Sequence, residues 1–249
     1  MKCLEWMEEH ESLYEKIREI LGDSPGNLKV LEQQIDMDLQ LEYYECSRKV
    51  RKEKDEAWAL DHMQYLEEPG YSADVKKEIL ARLASMTRTE CYRAIESFLN
   101  TAREPLRTWA VLSLNESRMV LESKIMDENQ VFISTGLGGK DGKLRYFVVL
   151  MTRSRIDLSE SQQMVIKNEF VYILEKYDAE LEEYNFSGSL ATMLILLPMK
   201  HSLKSVFQEA IDECNHYGDF LNDDFIVTNV RVLTFQEIED FLDKRNEVN

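Results

Sequence analysis

Apolar positions along the chain recur with two periods, and the change falls near residue 130. Up to residue 127 the spacing is helical. Ile79, Leu80 and Leu83, then Ile95, Phe98 and Leu99, lie three or four apart, as one face of a helix requires. Thr87 with Glu90 matches a capping box, in which a hydroxyl and a carboxylate satisfy free N–H groups. Pro105 suits a first helical turn, and "EEPG" at 67–70 separates two helices. Residues 35–43, "IDMDLQLEY", alternate strictly and fit a strand or a helix; their helical neighbours favour the helix.

After residue 130 the pattern turns β-rich. "KLRYFVVLMTR" reads as a strand, and "SESQQMVIKNEFVYILEKY" as a helix opened by a Ser159–Gln162 capping box. "AELEEYNF", "SGS" and "LATMLILLP" follow as strand, turn and strand. "SLKSVFQEAIDECNHYG" is a helix stopped at Gly218, "FIVTNVRVL" a last strand, and "TFQEIEDFL" a closing helix capped by Thr234 and Glu237. From residue 144 the order is therefore βαββαβ, with "VFIST" as an extra strand before it. That extra strand has to reach a sheet edge or leave the sheet, because the first core strand is central.

Two domains are expected: residues 1–129 all-helical, and residues 130–249 an α+β sandwich. A shift of 31 residues lays "DVKKEILARLASM" over "PLRTWAVLSLNES" and places Val75 on Leu106, Ile79 on Ala110, Leu80 on Val111 and Leu83 on Leu114. Through "EPLRTWAVLSL" the first region resembles HEAT-like repeats, in which helical hairpins stack on their neighbours. An irregular bundle remains the alternative. The second region is similar to the ferredoxin-like sandwich. The whole order resembles an uncharacterised bacterial two-domain family, a likeness that implies no activity. Both faces of "RYFVVLM" and "ATMLILL" are apolar, so the face away from the sandwich helices needs a cover. The N-terminal helices or a second subunit, giving a homodimer through the sheet face, are expected to supply it.

The segment "STGLGGKDGK" places four glycines, Gly136, Gly138, Gly139 and Gly142, within seven residues. It fails the Walker spacing, since three residues separate Gly138 from Gly142 and Leu144 follows Lys143. It also fails the dinucleotide fingerprint, where Asp141 stands in place of the third glycine. "KDGK" is a hairpin-turn signal. Against that, residues 131–155 hold Lys140, Lys143, Arg145, Arg153 and Arg155 with one acid, Asp141, in a chain of net charge −17. A basic patch with free glycine N–H groups can hold an anion. These glycines and bases are therefore candidate ligand residues for a small-anion or nucleotide sensor.

Composition narrows the rest. Charge of −17 argues against nucleic-acid binding, where phosphate neutralisation dominates, and against anionic membranes. "RYF" at 145–147 lacks the Gly-aromatic-Gly setting of an RNA-recognition strand. The opening "MKCLEWMEEHESLYEK" reads as a charged helix and not as a secretory leader. Four dispersed cysteines point to a reducing cytoplasm. Cys214 and His216 are two ligands where structural zinc needs four, so no metal, cofactor or catalytic set is expected. The reading is of a cytoplasmic interaction or scaffold protein, leaning away from an enzyme, with a protein partner and neither nucleic acid nor membrane. The anion sensor is its alternative.

Overall fold

The computed structural model describes residues 28–53, 55–127 and 131–248, so the expected opening helix, Cys3 and His10 lie outside the described residues. The chain is mixed α and β, with an antiparallel sheet. Its described part divides into two compact units. One comprises residues 35–133 with Leu28 and Lys29; the other comprises residues 134–248 with 30–34.

The helical unit holds α1 (Met37–Glu53), α2 (Glu56–His62), α3 (Ala73–Ala84), α4 (Thr89–Thr101) and α5 (Leu106–Met126). The alternating stretch at 35–43 thus runs into a helix, opened by Asp36, whose carboxylate accepts from the Asp38 and Leu39 N–H groups at 2.9 and 3.3 Å. Helix α3 is the hub: α1, α2, α4 and α5 all pack on it, and every position from Ile79 to Ala84 is buried. This arrangement departs from the expected row of HEAT-like hairpins. The two segments that overlay at 31 residues, on α3 and α5, lie directly against each other, so the shared leucine spacing reflects mutual burial.

Several polar groups inside this unit are held by long-range partners. Glu116 on α5 accepts from Tyr43 Oη at 2.7 Å, Ser47 Oγ at 2.9 Å and Arg51 Nη2 at 2.6 Å, three residues spaced by four along one face of α1. Buried Lys76 donates to the Leu66 carbonyl at 2.7 Å. The expected Thr87–Glu90 box does not form. Glu90 is taken by Arg88 at 3.0 Å, and Arg88 occupies the N-cap with no side-chain bond.

In the second unit the order is β3 (Gly139–Lys140), β4 (Lys143–Met151), α6 (Glu160–Lys176), β5 (Glu180–Ser187), β6 (Leu190–Pro198), α7 (Leu203–Asn215), β7 (Ile226–Thr228) and α8 (Phe235–Val248). Strand β6 lies between β4 and β5, and both β7 and β3 pair with β4. Short β1 (Leu28–Val30) and β2 (Val131–Ile133) form a separate two-stranded sheet, so the extra strand leaves the main one. Capping boxes open α6, through Ser159 and Gln162, and α8, through Thr234 and Glu237.

Alternation along β4 assigns its faces. Leu144, Tyr146, Val148 and Leu150 form one; α6 and α7 pack together, with Phe170 and Phe207 ring centroids 6.1 Å apart. Phe147, Val149 and Met151 form the other, with Leu190 and Leu194 of β6 and Ile226 of β7. This second face is covered from within the unit. Ile238 of α8 is fully buried against it, with Phe235, Leu242 and Leu137 beside it. A side chain such as Ile238 contributes about 1.5–3 kcal/mol by leaving water. That corrects the expected cover: the closing helix takes the place foreseen for N-terminal helices or a second copy.

Candidate functional site

The glycine segment folds as a hairpin. Gly139 pairs with Leu144 and Lys140 with Lys143, leaving Asp141 and Gly142 as a two-residue turn with φ of 51° and 77°. Both central residues at positive φ is the arrangement that Asp-Gly favours between twisted strands. The other glycines serve close backbone packing. A Cβ at Gly136 meets the Val230 carbonyl oxygen at 1.8 Å, and one at Gly139 meets the Lys143 carbonyl oxygen at 2.1 Å. Gly138, at φ 66°, sits against the carbonyls of Glu32 and Gln33. Backbone N–H groups of this segment are partly committed too: Leu137 donates to the Asn229 carbonyl at 2.9 Å and Gly138 to that of Thr135 at 3.1 Å.

The bases of this segment do not converge on a common point. Lys143 bonds Glu180 at 2.9 Å and Asp178 at 3.3 Å. Arg145 grips Glu182 with two nitrogens, Nη2 at 2.8 Å, and donates Nη1 to the Leu137 carbonyl at 2.8 Å. Both side chains are only 12% exposed. The Glu182 hydrogen bonds raise the Arg145 pKa, fixing its charge. Lys140 is exposed at the turn. Lys143 and Arg145 are thus neutralised by the chain's own carboxylates.

Arg153 and Arg155 lie past the other end of β4, where a different geometry appears. A cavity of about 390 Å³ opens there, floored by Met151, Leu190 and Leu242. Its walls are held by backbone. Thr152 N donates to the Ser189 carbonyl at 3.0 Å, Arg153 N to Phe220 at 2.9 Å, and Asn222 N to Met151 at 2.8 Å. Thr152 Oγ1 also donates to the Ile156 carbonyl at 3.0 Å, closing the turn that carries both arginines. Arg153 is shared between Asp219 at 3.2 Å and Asp223 at 2.6 Å. Arg155 is different. It holds φ of 54°, a left-handed conformation that costs a non-glycine residue about 1–2 kcal/mol, and its guanidinium makes no hydrogen bond or ion pair with a described residue.

Asp224, Glu239 and Asp243 also line the cavity. Asn222 shapes that rim by accepting from the Asp224 N–H at 3.0 Å. Sequence reasoning passed over these residues, because carboxylates such as "NDDF" are everywhere in an acidic chain. The available signal was the acid pair Glu239 and Asp243, spaced by four on the amphipathic closing helix beside Leu242.

Elsewhere the described residues offer little chemistry. No three His, Cys, Asp or Glu side chains among them are placed to hold a metal. Cys214 is buried, its thiol pushed up to about 12 by desolvation, while His216 lies outside it against Glu213 at 3.3 Å. Burial also lifts the Cys91 thiol to about 11. No helix among the described residues is long and apolar enough to cross a membrane.

No family model and no curated protein matches the chain. Among solved structures, one similar chain is "a putative transposase" from Deinococcus radiodurans R1, 17% identical over 41% of this chain and 90% of that one, with a TM-score of 0.36. Another is a REP-associated tyrosine transposase bound to a REP hairpin, 14% identical over 41% of this chain, with a TM-score of 0.32. The match spans 63% of that second chain. Both are described as transposases, and one is bound to a REP hairpin. They overturn the expected scaffold role and protein partner, and the exclusion of nucleic acid that rested on net charge. At these TM-scores the likeness assigns no activity to this chain.

Proposed function

We propose that the second unit is a ligand-binding module that holds a small polar molecule in the cavity beyond β4. The carrying observation is Arg155, kept in a costly backbone conformation at the cavity with no counter-ion among the described residues. The volume falls within the range of small-molecule sites. Part of the proposal is a ferredoxin-like reading of this unit, supported by the spatial order β7, β4, β6, β5. A reducing compartment is also part of it, supported by Cys46, Cys91 and Cys214 all being free.

Thermal unfolding with a panel of small polar metabolites tests the reading. A bound ligand at a hundredfold excess over its Kd adds about 2.7 kcal/mol, several degrees for a chain of this size. Ser189→Phe fills the cavity from its rim and should abolish the shift while the protein stays folded. A shift that survives Ser189→Phe, or no shift with any compound, overturns the proposal. A DNA hairpin serves as a separate arm; its binding to both proteins alike would move the function to a nucleic-acid surface.

A further inference from the structure

Opposite charges face the same cavity without meeting. Arg155 lies on the turn after β4, and Glu239 and Asp243 lie one turn apart on α8. None of the three makes an ion pair within 4.0 Å with any described residue, although the nearby Arg153 takes two carboxylates. Like charges spaced by four on a helix repel, and a guanidinium without an ion pair lines the same cavity. A cavity that keeps a cation and a carboxylate pair apart presents two complementary ends to one guest.

From this we infer that the ligand is a zwitterion, an aminocarboxylate whose carboxylate meets Arg155 and whose ammonium meets Glu239 and Asp243. Its apolar body rests on Met151, Leu190 and Leu242. The inference rests on the ligand-binding reading of the cavity and deepens it. Arg155 offers a planar fork of donors suited to a carboxylate, and the acid pair offers acceptors to an ammonium with three donors. A metal ion fits less well, because the carboxylates do not converge into a group of three. An anionic guest meets repulsion from Glu239 and Asp243.

Calorimetric titration of the full chain with the common L-amino acids and with ω-aminocarboxylates of three to six carbons tests it. At least one should bind. Its decarboxylated amine and its N-acetyl derivative should each bind roughly tenfold to a hundredfold more weakly, the loss of one charge-assisted contact. Arg155→Gln should weaken the zwitterion similarly and leave the amine unaffected. Asp243→Asn should do the converse, weakening the amine and sparing the N-acetyl form. Equal binding of all three ligand forms overturns the inference, as does indifference to both substitutions. No binding by any zwitterion overturns it too, and so does a response to magnesium or calcium alone. A singly charged or neutral compound that binds and is displaced by Ser189→Phe leaves the cavity reading standing without this one, whereas no binding by any compound removes both.

Discussion

The two ends of β4 carry the same kinds of side chain and meet opposite surroundings. At its start, Lys143 and Arg145 reach carboxylates on β5 and in the turn before it, and are nearly buried by them. Past its end, Arg153 is paired on its outer side and Arg155 is left at a cavity whose carboxylates stay out of reach. The difference lies in topology. β5 runs alongside β4 with β6 between them, so its acids come within reach of the first end by construction. The second end is walled by a turn, by Asn222 and Asp224 and by α8, which arrive from elsewhere in the chain. A local count of bases cannot tell a neutralised end from an open one.

The largest expected effect breaks the closed end. At Gly139 a Cβ lies 2.1 Å from the Lys143 carbonyl oxygen, so Gly139→Ala forces the hairpin backbone apart. Overpacking of this kind costs about 3 kcal/mol. Gly142→Ala is the control. Nothing lies within 4 Å, and only its φ of 77° opposes a side chain, for about 1 kcal/mol. Urea unfolding separates them, and similar losses at both positions would mean that the glycines answer to conformation alone.

Next is Arg145→Ala. It strips Glu182 of its bidentate partner and the Leu137 carbonyl of a donor, at a side chain 12% exposed. Hydrogen bonds to charged groups at such sites are worth about 2 kcal/mol together with the partner left behind. The unfolding midpoint in urea should fall with an unchanged slope. A loss within 0.5 kcal/mol, the range of about ordinary surface changes, would class Arg145 with exposed ion pairs.

The third effect has the opposite sign. Arg155→Gly removes a left-handed strain at φ 54° and should stabilise the unliganded protein by about 1 kcal/mol, while Arg155→Ala keeps the strain and changes little. Stability gained by deleting a side chain is the mark of a residue retained for a guest. If Arg155→Gly lowers the melting temperature, the guanidinium is structural and the two ends of β4 are alike.

Much of the second unit was legible because each of its elements has a local cause. "ELEEYNFSGSLATMLILLP" is a mostly polar run, a turn at Gly188 and a continuous apolar run, and β5 and β6 form there. Ser159 with Gln162 opens α6 as a capping box does. Asp141-Gly142 turns the hairpin whose glycines also resembled an anion cradle. What stayed illegible depends on long-range placement. The Thr87–Glu90 box lost to a two-residue contact with Arg88. The bases Lys143 and Arg145 found partners some 35 and 37 positions onward. "TFQEIEDFL" was read as a closing helix, but which surface it closed, and that its outer acids would wall a cavity, required the sheet to be in place.

The smallest effect concerns the first turn of α8, the helix that brings Glu239 and Asp243 to the open end. Glu237 is the counterpart of those acids, with every acceptor committed. It takes Arg231 Nη2 at 2.6 Å and Nη1 at 3.0 Å, and the Thr234 N–H and Oγ1 at 2.9 Å each. The Arg231 hydrogen bonds, then those from Thr234, hold its carboxyl down to about 2. A folded pKa below the unfolded one means stability that is complete above the ordinary carboxylate range and is lost as pH falls from about 4.5 toward 2. The carboxyl is fully exposed, so the gain is slight and screened by salt. Carbon-detected NMR titration should find Glu237 protonating well below the ordinary carboxylate range. A Glu237 that titrates in the ordinary carboxylate range would show that the first turn of α8 is loosely held and that Arg231 and Thr234 do not fix it.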